Sequence, residues 1–107
     1  MELISIPFDE NEALEAAKNT TSALEISLPE PLNEAVWERL LVIKELSYPV
    51  PIVVVFSPAW LESNLEAILI RLAASNVSGI SLKKVFDDTF LCRVNRVNNL
   101  GLSIIKI

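Results

Sequence analysis

Few residues in this chain have a type and spacing that could do chemistry. Ser57 follows an apolar run and stands directly before Pro58, where a hydroxyl and the free N–H groups of a helix start would meet an anion. Two observations weaken that reading: Pro58 removes one donor, and the connection from Phe56 through Ser57, Pro58 and Ala59 to Trp60 holds neither a glycine for close backbone approach nor a following lysine. Ser57 is therefore read first as a helix N-cap, with small-ligand or anion binding at Ser57–Trp60 kept as an alternative. Asp87 and Asp88 could offer carboxylates to a hard cation, yet adjacent aspartates are the ordinary content of a solvated turn, so no metal site is assigned.

The missing residue types exclude more than the present ones suggest. The chain has no histidine and one cysteine, Cys92. The usual neutral-pH general base, Ser-His and Cys-His activation, internal disulfides and multi-thiolate metal sites all go with them. No cofactor is expected. Cys92 itself, placed between Phe90 and Val94, reads as a small core residue.

The basic residues form a second candidate. Residues 71–107 carry six bases against Asp87 and Asp88, about +4, whereas residues 1–70 carry twelve acids against Lys18, Arg39 and Lys44, about −9. Lys83, Lys84, Arg93 and Arg96, with Phe90 nearby for stacking, could meet a nucleic acid. The net charge of −5 opposes docking on a polyanion. Two charge regions of opposite sign fit contact between protein surfaces better, because complementary fields fix register.

Composition supports that preference. At 107 residues, 51% of them hydrophobic, the chain closes one core and has apolar material left over. An exposed apolar patch is the physical consequence, and such patches mark interfaces. A membrane span is not the explanation: the uncharged stretch from Leu46 to Leu61 is broken by Pro49, Pro51 and Pro58 and is shorter than the roughly 20 residues a span needs. The acidic, proline-containing start does not read as a signal peptide, so a cytoplasmic protein is expected.

The elements that must position these residues follow from periodicity. Residues 2–8 alternate as a short strand, Asp9 caps a helix carrying Ala13, Leu14, Ala16 and Ala17, and Leu24, Ile26 and Leu28 alternate as a strand with one wet face. Pro31 is suited to a first helical position, and Leu32, Ala35, Val36, Leu40, Ile43 and Leu46 make one helical stripe. Trp37 and Leu41 flank that stripe four residues apart, either as core at its edge or as interface anchors; Trp60 is a further anchor candidate. The β-branched run from Pro51 to Phe56 predicts a central strand covered on both faces. Leu61, Leu65, Ile68, Leu69 and Leu72 then predict a helix opening at Ser57. Residues 77–85, 90–94 and 102–107 read as a three-stranded meander, although 82–88 also fits a helical turn.

The expected fold is thus a single α/β domain over 1–107, a mixed sheet of three β-α units and a C-terminal meander with helices packed on it. The expected function is a non-enzymatic protein-protein interaction or regulatory module that forms a homo-oligomer. Nucleic-acid association through the basic third is the alternative.

Overall fold

In the computed structural model, residues 3–20, 22–82, 92 and 103–106 are described. Along the chain they form β1 (Leu3–Ser5), α1 (Glu10–Lys18), β2 (Ala23–Ile26), α2 (Glu34–Ser47), β3 (Ile52–Val55), α3 (Ala59–Glu62), α4 (Leu65–Ala74), β4 (Gly79–Leu82) and β5 (Ser103–Lys106). The α/β alternation of the sequence is therefore the architecture of the molecule. All four strand pairings are parallel, in the order β1-β2-β3-β4-β5. Residues of α1, α2, α3 and α4 share one hydrophobic cluster with the strands, as right-handed crossovers in a sequential order would bring them to one sheet face.

The apolar pattern agrees with that geometry. Leu24, Ile26, Ile52, Val54, Ile80 and Leu82 alternate along β2, β3 and β4, and they share one hydrophobic cluster with Ala13, Val36, Leu40, Ile43, Leu65, Leu69 and Leu72 of the helices. β3, read as the central strand from its valines, is the middle strand and is covered on both faces over Ile52–Val54. Parallel strands of this kind are nearly continuous apolar runs because neither side reaches water.

Three expectations give way. First, β4 and β5 pair directly, with Ile80 opposite Ile104, so no strand lies between them and the mixed sheet with a meander is replaced by a parallel one. A parallel partner needs a crossover of a dozen or more residues, and residues 83–102 provide that length. Cys92 is helical and exposed, not a core residue of a strand. The remainder of the expected strand at 90–94 falls outside the described residues. Second, β2 has no wet face: Glu25 is only 2% exposed and accepts a 2.8 Å hydrogen bond from the Ser5 hydroxyl. Third, the helix expected from Ser57 is two helices, broken at Ser63 and Asn64.

Asparagine explains the helix limits that hydrophobic periodicity misplaces. Asn33 Oδ1 accepts from Val36 N at 3.1 Å and starts α2 beyond Pro31, and Asn64 Oδ1 accepts from Ala67 N at 3.1 Å to start α4. At the far end of α4, Asn76 takes φ of 60° while its N–H reaches the Ala73 carbonyl, so the helix stops on a left-handed residue. Asn76→Ala is expected to cost about 1 kcal/mol in urea denaturation, and Asn76→Gly to cost little, since glycine enters this region freely.

An arginine fastens the junction of α1 and α2. Arg39 Nε donates to Glu10 at 2.8 Å, Nη2 donates to the Phe8 carbonyl at 3.1 Å, and the guanidinium lies 4.7 Å from the Phe8 ring centre. The hydrogen bond from Arg39 is the main reason the Glu10 carboxyl is held below its ordinary value. A lowered carboxylate stabilises the fold above its ordinary pKa and loses that contribution as pH falls through the lowered value. Carboxyl NMR titration of Arg39→Ala should find Glu10 moved up toward the ordinary carboxylate range.

Candidate functional site

The residues singled out from sequence fall in different environments. Trp60 is 1% exposed and stands edge-on to Phe56, ring centres 5.2 Å apart, within the core. As a core side chain it does not project from the surface as an anchor would. Trp37 is 6% exposed, whereas Leu41, one turn further along α2, is 47% exposed. Lys83, Lys84, Arg93 and Arg96 lie outside the described residues. Ser57 Oγ accepts from Ala59 N at 3.3 Å, one residue before Pro58, which holds the N-cap position of α3 in place of Ser57.

The surplus apolar surface collects on the second half of α2 and at its C-cap, Tyr48. Leu41, Val42, Leu46 and Tyr48 are exposed, Tyr48 to 76%, and Ile70 is exposed on α4. Leu46 and Ala35 leave the expected buried stripe, and Ser47 enters it, its hydroxyl donating to the Ile43 carbonyl at 2.9 Å. The cause is geometric: α2 rolls so that Trp37 turns inward beneath α4, and the opposite flank turns to solvent. Glu34, Glu38, Leu41, Glu45 and Tyr48 follow one another at helical spacing, so carboxylates alternate with apolar groups along a single outer ridge. Among the described residues, Glu38 and Glu45 enter no ion pair.

Beside this ridge, α2 and α4 enclose a groove. One depression, of about 400 Å³, is lined by Pro31, Leu32, Trp37, Trp60, Ile68 and Arg71, with Glu30, Ser63, Asn64 and Ala67 completing it. A second, of about 440 Å³, lies a turn further along each helix, between Leu41, Lys44, Glu45 and Tyr48 on one side and Ser75 and Asn76 on the other. The first sits beyond the carboxyl ends of β2 and β3, where α/β proteins commonly place ligands. A sequential strand order has no reversal point, however, so this cleft exists only because α2 and α4 stand apart.

Arg71 bridges the groove. Its Nη1 and Nη2 donate to the two carboxylate oxygens of Glu34 at 3.1 Å and 2.6 Å, and its guanidinium lies 5.5 Å from the Trp37 ring centre. The partners come from positions 37 residues apart, which is why the sequence gives no sign of them. Comparison with protein families, with curated proteins and with solved structures finds no match for this chain. The site is therefore interpreted from its own residues. Among the described residues, no group of three or more metal-ligating side chains converges and no helix is long and apolar enough to cross a membrane.

Proposed function

We propose that the protein is a non-enzymatic interaction module that self-associates through the outer face of α2. The observation that carries this reading is the exposed group of Leu41, Val42 and Leu46 on the second half of α2 and Tyr48 directly after it. Apolar groups gathered in this way gain free energy when a second surface removes them from water, at about 25 cal/mol per Å² of apolar area.

The charges favour one kind of surface over another. Two α2 faces brought together around a twofold axis would oppose Glu38 and Glu45 to their own copies, and like charges brought together in a partly desolvated contact are costly. A basic surface does not meet that obstacle. The chain itself carries Lys83, Lys84, Arg93, Arg96 and Lys106 in its C-terminal third. Acidic α2 of one copy against the basic third of the next is a head-to-tail contact, which grows into rings or filaments.

Sedimentation velocity over a range of concentrations is expected to show species larger than the monomer in low salt, shrinking as salt rises. A monomer at every concentration and salt would refute self-association.

A further inference from the structure

We propose that Glu34 and the ring of Trp37 form a guanidinium-binding site that Arg71 fills in the isolated chain and that an arginine of the docked partner takes over. This inference rests on the reading of α2 as a docking face and names the group that face recognises.

The chain displays the recognition chemistry itself. A planar cation lies over an indole while its two N–H edges meet a carboxylate fork, the arrangement that favours arginine over lysine. The Arg71 and Glu34 side chains are 44% and 72% exposed, so their ion pair contributes little to the fold and is readily exchanged. Arg39 makes the same kind of contact with Phe8 and Glu10, but over the closely packed junction of α1 and α2. Arg71 instead spans an open cleft that has apolar walls and, in Glu30, a second carboxylate at its edge. Displacing Arg71 leaves the floor of that cleft, Trp60 and Ile68, in place. The exposed carboxylates of Glu38 and Glu45 continue the attraction for a cationic segment along α2.

Arg71 acts as a tethered competitor, present at an effective concentration on the order of millimolar. Removing it should therefore tighten binding of a free guanidinium. The probe is N-acetyl-arginine amide, with N-acetyl-lysine amide as the control, titrated while the Trp37 indole N–H is followed by NMR. In Arg71→Ala half-saturation is expected at a concentration about tenfold lower than in the wild type, with the lysine amide weaker and binding lost in Arg71→Ala/Glu34→Gln. Arg71→Gln replaces Arg71→Ala should the latter fail to fold. Equal binding by wild type and variant, equal binding of the two amides, or indifference to Glu34 would each overturn the site. Sedimentation separates the two proposals: assembly without arginine binding sinks only this one, whereas arginine binding by a chain that stays monomeric sinks the self-association reading.

Discussion

Trp60→Ala should lower the stability of the domain by about 3–5 kcal/mol, close to the whole stability of a domain of this size. The side chain is one of the largest that are fully buried, it meets Phe56 edge-on, and it sits where α3 turns the chain from the end of β3 toward α4. Removing an indole there leaves a cavity bounded by strand and helix backbones that cannot close around it. Trp60→Phe should cost far less. It keeps a ring against Phe56 and removes an indole N–H that is buried without a hydrogen-bond acceptor among the described residues. Urea denaturation of the two variants separates a core role from a docking role, since a docking residue would change association and spare the fold.

The opposite outcome is expected on α2. Leu41→Ser combined with Tyr48→Ser should abolish assembly at concentrations where the wild type associates, with the urea midpoint changed little. Both side chains already face water in the single chain, so their truncation opens no cavity. Contact energy concentrates in a few large apolar side chains at the centre of an interface, and Leu41 and Tyr48 flank Glu45 two turns apart along the ridge. Trp37→Ala, by contrast, should lose stability as well as binding, because its ring packs beneath Arg71 and belongs to the core cluster.

Which parts of this were legible in the sequence follows from the range of the forces involved. The valine run of β3, the alternation of Leu24 and Ile26 and the stripe of Val36, Leu40 and Ile43 are local patterns, and each appears where periodicity puts it. The surplus of apolar residues over what so small a core can hold foretold an exposed patch, but not its address. That depends on how far α2 rolls, which Trp37 and Arg71 settle from opposite sides of the groove. Both arginine contacts join residues distant in sequence, and so does the hydrogen bond between Ser5 and Glu25. A carboxylate that alternation assigns to water is for that reason found inside. The direction of the last strand was illegible on the same ground: hairpin and crossover offer identical apolar alternation, and only the pairing of β4 with β5 distinguishes them.

The head-to-tail contact is tested most directly by mixing two defective variants. One carries Leu41→Ser and Tyr48→Ser on α2, and the other carries Lys83→Glu and Lys84→Glu in the basic third. Each has lost one end of the contact and keeps the other, so in sedimentation each alone should remain a monomer. An equimolar mixture should form dimers, which cannot extend further. If the mixture stays monomeric while the wild type assembles, the acidic face of α2 and the basic third are not the two halves of one interface.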